Sequence, residues 1–271
     1  MLRTLLAQEV RALGRTHLLV LGVAALVATL LVLVGLFDLP VVSSVCQLLA
    51  ASVLAASVLA VFVHCLVEYW QSMYGQRGYL TMTVPVRGRV LYAAKVVYTV
   101  LATAAAALLA LALYGAAYAA TAWSQDQTVA EAFAPVREAV DLLGAGRILL
   151  TAMTLLLMLI SWTLMSTALM SVGAQSRWNH LGFGAPVIGF VILYLVSQVV
   201  TLLTMLLVPF GVSLTTGDFI FEMMLGPVMD SLSTGAEPDV LGLGFLPATW
   251  VLAASLGWWA VRAIERHTSL R

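Results

Sequence analysis

The feature that most constrains this chain is a succession of long apolar runs, each about the length a helix needs to cross a bilayer. Six stretches qualify: Leu18–Phe37, Val42–Val67, Val90–Ala122, Ile148–Gly173, Leu181–Val208 and Phe245–Val261. Composition agrees. Of 271 residues, 62% are apolar and 10% charged, against about 45–50% and 25% in a soluble domain. A water-soluble fold of this length has no interior large enough for so much apolar surface. Soluble enzymes, nucleic-acid binders and disordered chains are excluded on that ground. The expected fold class is an all-α membrane protein, one transmembrane domain over residues 1–271. The first run exceeds a signal-peptide core and Phe37-Asp38-Leu39-Pro40 follows it, so it reads as a retained span.

Charge sets the expected orientation. All but Arg137 and Arg147 of the 13 basic residues fall in Met1–His17, Glu68–Lys95, Ala174–His180 and Arg262–Arg271. Lys and Arg accumulate on the cytoplasmic side, so both termini are expected there. All but Glu9, Glu68 and Glu265 of the 13 acidic residues fall in the opposite set, which includes Asp38, Asp126 and Glu131. Trp123, Trp178, Trp258 and Trp259 stand at span ends, as an aromatic belt does.

The segments between spans carry further expectations. In Met1–Arg15, Leu2, Leu5, Leu6, Val10 and Leu13 repeat at helical spacing, with Arg3, Arg11 and Arg15 on another face. That predicts a helix lying in the cytoplasmic interface over residues 1–16; an orientation signal is the plainer reading. The third run is too long for a simple span, and its start, with Arg89 and Lys95, is expected to project into water. Outside, at residues 123–146, Thr128 is expected to cap a helix whose face holds Val129, Phe133, Val136, Val140 and Leu143, bent at Pro135. It is either a lid or a connector. Residues 209–244 are too apolar for a loop and too short to span. Phe219, Phe221, Glu222 and Met223, then Pro227, read as an external re-entrant or interfacial helix pair, with Asp218 as N-cap and Glu222 turned to water or protein.

Residues 68–95 form a long cytoplasmic loop divided by Gly75, Gly78 and Pro85. Tyr79-Leu80-Thr81-Met82-Thr83-Val84 is apolar on the water side. Such a patch marks a protein contact, or packing against the chain's own span ends. The stretch Tyr74-Gly75-Gln76-Arg77-Gly78-Tyr79-Leu80-Thr81-Met82-Thr83-Val84-Pro85-Val86, with Lys95 following, resembles the "GYLTxTLPV…K" segment in permease subunits of bacterial ABC exporters of the type-two superfamily. The layout of interfacial helix, six spans, cytoplasmic loop after span two and external helices before span six is similar as well. The resemblance implies that Tyr74, Gly75, Arg77, Gly78, Tyr79, Leu80, Thr81 and Pro85 form a coupling helix and its flanks, docking on a separate ATPase. It implies two ATP-binding cassette subunits and a second permease chain, identical or similar. ATP and Mg would sit on those ATPases, with no cofactor on this chain. One departure stands out. Relatives commonly carry an acidic residue just before the glycine matching Gly78, where this chain has Gln76-Arg77.

The sequence contains no G-x-x-x-x-G-K-[ST], so the usual nucleotide-binding loop is absent. Neither H-E-x-x-H nor a paired-cysteine motif occurs, and no metal site is expected. Cys46 and Cys65 read as apolar packing residues. No Asp, Glu, Lys or Arg stands well inside a span, which argues against ion-coupled transport; His64, near the inner end of span two, reads as interfacial. Ser197, Gln198 and Thr201, with Met205, are the candidate substrate pathway in span five; hydrogen bonding between helices is the other reading. The expected function is the transmembrane permease of an exporter of apolar or amphipathic compounds (a drug, a peptide or a lipid) in the bacterial plasma membrane. The alternatives are a stand-alone secondary transporter or channel and a non-transporting sensor or scaffold.

Overall fold

A computed structural model describes residues 1–37, 40–124, 126–235 and 237–266. Asp38, Leu39 and Arg271, which entered the charge and span expectations, lie outside the described residues. About 82% of the structure is helical. Five helices among the described residues are long and apolar enough to cross a membrane. The chain divides into two compact units, Met1–Leu159 and Ile160–Arg271.

The first unit is built on three long helices, α1 (Leu2–Gly35), α2 (Pro40–Met73) and α4 (Gly88–Ser124), which pack on one another. The short α3 (Gly78–Met82) joins α2 to α4. One face of α1 is buried, through Leu13, His17, Ala24, Ala28, Val32 and Gly35. The spacing of three, four or seven keeps them on a single stripe. Leu18, Leu19, Val23, Leu26 and Leu30 stay exposed, as lipid-facing residues should. Ala28, Val32, Ala50, Leu54 and Ala110 form one core cluster and Leu13, Cys65 and Tyr98 another. Lipid is as apolar as leucine, so close approach of small side chains, not escape from water, holds such helices together. Ala106 and Ala110 on α4 are both buried, and Ala102 packs against the second cluster.

One expectation fails here and another holds only in part. Residues 1–16 are not a separate interfacial helix: α1 runs unbroken for 34 residues, about 51 Å at helical rise. A helix lying in the membrane plane needs a turn before the span, and no Gly or Pro supplies one; Gly14 sits inside the regular helix. The start of α4 meets its expectation only in part, since Arg89 is exposed. Leu91, Tyr92, Ala94, Lys95, Val96 and Tyr98 are buried, because the N-terminal turns of α1 cover them.

The Thr128 cap does form, at the start of α5 (Val129–Ala132). The Thr128 side chain accepts from the Glu131 N–H, and the Glu131 carboxylate accepts from the Thr128 N–H at 2.8 Å. Hydrogen bonds from the Thr128 hydroxyl, then from its backbone N–H, hold the Glu131 carboxyl below its ordinary pKa. The helix then stops at Phe133, whose ring meets Tyr118 edge-on at 5.5 Å. Pro135 does not bend a helix. It sits in the first turn of α6 (Ala134–Gly173), where a missing N–H costs nothing. The interruption in α6 falls at Gly144, at φ +71° and ψ 155°. Val129, Val136, Val140 and Leu143, expected to share a helix face, are exposed.

In the second unit the end of α6 is followed by a 3-10 turn (Ser176–Leu181), α7 (Gly184–Leu207), β1 (Gly211–Ser213), β2 (Phe219–Ile220), α8 (Leu225–Thr234), β3 (Val240–Gly242) and α9 (Phe245–Arg266). The strands form an antiparallel sheet ordered β2-β1-β3. The fold is therefore helical with one small sheet, and the expected external helix pair is corrected to a hairpin plus one helix. Asp218 caps no helix; its carbonyl accepts the Ser213 N–H at 2.9 Å and closes the hairpin turn. Phe219 and Ile220 favour a pleated, half-buried surface, and Phe219 stacks on Phe210 at 6.0 Å. Gly226-Pro227, expected to break a helix, instead lies in the first turn of α8.

Gly242 is where this sheet meets α7. A Cβ there would run into the Met205 carbonyl oxygen, a backbone atom that cannot step aside. Gly242→Ala should therefore destabilise the unit by about 1–3 kcal/mol or more, the range for forced overpacking. Thermal unfolding in detergent checks it, and an unchanged midpoint would show that the sheet moves freely on α7.

Candidate functional site

The sequence points to the loop after α2, and its geometry starts with Gly75. The last turn of α2 closes with the Tyr74 and Gly75 N–H groups both reaching the Trp70 carbonyl, at 2.8 and 3.1 Å. A Cβ on Gly75 would sit 2.8 Å from the Gln71 carbonyl oxygen, so only glycine permits the chain to fold back this tightly. The Gly78 N–H donates to the Gly75 carbonyl at 2.8 Å, and α3 begins there. It ends within two turns, where the Thr83 hydroxyl donates to the Leu80 carbonyl at 2.8 Å and Pro85 follows.

This short helix presents Tyr79, Leu80 and, just beyond, Val84. They are 50%, 74% and 41% exposed, which leaves an apolar patch with nothing of its own unit covering it. The other expected coupling residues divide by role. Gly78 is buried, Thr81 is half-buried and Pro85 is exposed. Tyr74 turns inward, its ring tilted on Trp70 at 5.4 Å and edge-on to Tyr69 at 6.1 Å, so it supports the loop from behind. Arg77 folds back on α2, 3.0 Å from the Glu68 carboxylate and 2.6 Å from the Gln71 amide oxygen. Arg77 thus has its acidic partner within the same chain. Such an exposed pair is worth little to stability, but it fixes the direction in which Arg77 points.

Beneath the loop lies a polar junction that sequence reading misses. Lys95 Nζ on α4 meets Glu9 Oε1 on α1 at 2.6 Å and donates to Ser72 Oγ on α2 at 2.8 Å. The Lys95 side chain is 7% exposed and that of Glu9 19%. Three helices are pinned at the two stems of this loop by one ammonium. Deeper in the same unit, His17 Nε2 lies 3.0 Å from His64 Nδ1 and 3.8 Å from Cys65 Sγ, while His17 Nδ1 lies 3.1 Å from the Tyr98 hydroxyl. His64, expected at the interface, is half of a packed ring pair. Partners 47 and 81 positions apart in sequence give no local signal of either cluster. Among the described residues no three His, Cys, Asp or Glu side chains are grouped so as to hold a metal ion.

The expected pathway residues stay apart from any buried site. Pro186 is the one buried residue of α7. Gln198 is exposed, and Ser197, Thr201 and Met205 are half-exposed. The Ser197 hydroxyl donates to the Tyr194 carbonyl of its own helix at 2.8 Å. In the segment between α7 and α9, Phe221 is 81% exposed and Met223 51%. Glu222 shares a shallow cavity of about 530 Å³ with Asp239, Ser213 and Phe219.

These five apolar helices define a multi-pass α-helical membrane protein. No family model matches the chain, and no curated protein or solved structure matches it.

Proposed function

We propose that this chain is the permease subunit of an ATP-driven exporter, worked by a separate ATPase that docks on α3. The observation that carries the proposal is the exposed Tyr79-Leu80-Val84 patch. It lies on a loop that the basic-residue distribution assigns to the cytoplasm, and its residues resemble the ABC-exporter segment. A large apolar patch on a water-facing helix is costly unless a partner covers it. No nucleotide-binding loop occurs in the sequence, so the energy source belongs to a partner.

On this reading α9 is the sixth span. It is 22 residues long, about 33 Å, and its Trp258, Trp259 and Arg262 stand near the inner interface. Both termini are then cytoplasmic in the plasma membrane. Two ATP-binding cassette subunits bind below, ATP and Mg bind on them, and a second permease chain, identical or similar, completes the pathway. The cargo is apolar or amphipathic, because the spans offer no fixed charge for a strongly ionic solute. The sensor or scaffold alternative shares the ATPase contact and differs in turnover. ATP hydrolysis by the complex reconstituted in liposomes should rise severalfold with a hydrophobic drug, peptide or lipid of the right class. Constant turnover across a broad panel of such compounds would favour the scaffold.

A further inference from the structure

Two imidazole nitrogens 3.0 Å apart, as in the His17–His64 pair, form a hydrogen bond only when one carries a proton and the other does not. The rings meet edge to face, with centroids 5.1 Å apart at 83°. On its other side His17 faces a hydroxyl, Tyr98, at 3.1 Å. A hydroxyl rotates, donating to a bare nitrogen or accepting from a protonated one. The three groups therefore tolerate one added proton with every contact kept. As an imidazolium, His17 donates from Nε2 to His64 and from Nδ1 to Tyr98. A second proton has no such place. On His64 Nδ1 it sets N–H against N–H and two positive rings edge to face.

The surroundings do not compensate a second charge. Cys65 of α2 and Tyr98 of α4 touch His17 directly, and the nearest charged groups along the same helices are Glu68 on α2, Lys95 on α4 and Glu9 on α1. Glu68 is engaged with Arg77 and Glu9 with Lys95. The other charged groups nearby on α1, Arg11 and Arg15, are exposed and cationic. His17 itself is 6% exposed.

We propose that His17, His64 and Tyr98 form a proton-binding site of capacity one between α1, α2 and α4, and that a second proton releases α1 from α2. Acidification then frees α1, whose Glu9 is paired with Lys95 near the start of α4. The site stands on unit-one geometry alone, and its test needs neither ATPase nor cargo.

The test compares thermal unfolding of the full chain in lipid nanodiscs between pH 7.5 and 5, the range in which histidine titrates. The unfolding midpoint of the wild type should fall by about 5 °C or more, the scale of a small change in stability for a chain of this size. His64→Asn keeps an acceptor near the Nδ1 position but takes no proton. It should match the wild type at pH 7.5 and lose most of the acid-induced fall. Parallel profiles for the two proteins would overturn the proposal. Should the variant fail to fold, ¹⁵N-histidine spectra of the wild type decide. One imidazolium paired with one neutral ring at intermediate pH supports the site, and two rings titrating independently refute it.

Discussion

Replacing Lys95 by methionine is expected to cost the chain about 3–5 kcal/mol, the loss seen when one partner of a buried ion pair is removed. The lysine side chain is almost fully enclosed, and its partner Glu9 would be left charged and largely desolvated among apolar helices. Glu9→Met with Lys95→Met replaces both charges by apolar side chains of similar length and should recover most of that loss, since a matched apolar replacement of a buried pair is often near neutral. Ser72 adds the third anchor, and Ser72→Ala should be the mildest of the set, at about 1 kcal/mol. A double-mutant cycle by unfolding in detergent reads these terms directly. If Lys95→Met stays within about 1 kcal/mol of the wild type, the pair behaves as a solvated one, and the closed junction between α1, α2 and α4 is wrong. The effect should be local to unit one, where all three groups reside.

The second large effect concerns binding. Tyr79→Asp with Leu80→Asp puts two carboxylates at the centre of the exposed patch on α3. Central apolar anchors of an interface typically contribute at least about 2 kcal/mol each, and burying unpaired charge in their place adds to the loss. Capture of a co-expressed ATPase by the tagged chain should fall by about 100-fold or more. Stability should barely change, because both side chains already face outward and exposed substitutions stay within about 0.5 kcal/mol. Normal unfolding with lost capture assigns the contact to this helix. Undiminished capture would remove α3 as the docking site and with it the main support for the exporter reading. Tyr74 is a useful contrast: it packs inward on Trp70 and Tyr69, so Tyr74→Ala should act first on stability and only through it on capture.

Several features are legible from the residue string because they depend on local pattern. Apolar runs of span length place α1, α2, α4, α6 and α7. The Thr128/Glu131 capping box is readable because both partners lie three residues apart. The division of residues 68–95 into short pieces is readable because Gly75 and Gly78 free the backbone to turn and Pro85 cannot continue a helix; that one piece is a helix is implied only by the resemblance. Errors arise where two local forms compete. Phe219-Ile220-Phe221 suits an apolar helix or a strand equally, and the pairing of Gly211 with Ile220 and Gly242 decides for the strand. The N-terminal fifteen residues carry an amphipathic pattern that fits a membrane-surface helix, yet they continue α1 because α4 offers them a face to cover.

By itself, then, the sequence determined that this is a multi-span helical membrane protein without a nucleotide-binding loop, with an apolar segment between its second and third long helices. Those properties follow from composition and from contacts a few residues apart. Only the tertiary structure decided that Glu9 reaches Lys95, that His17 and His64 face each other with Tyr98 behind them, and that the segment between α7 and α9 pairs as strands. Each depends on groups far apart in sequence, and their pairing is chosen by which helix faces pack together once the backbone is committed.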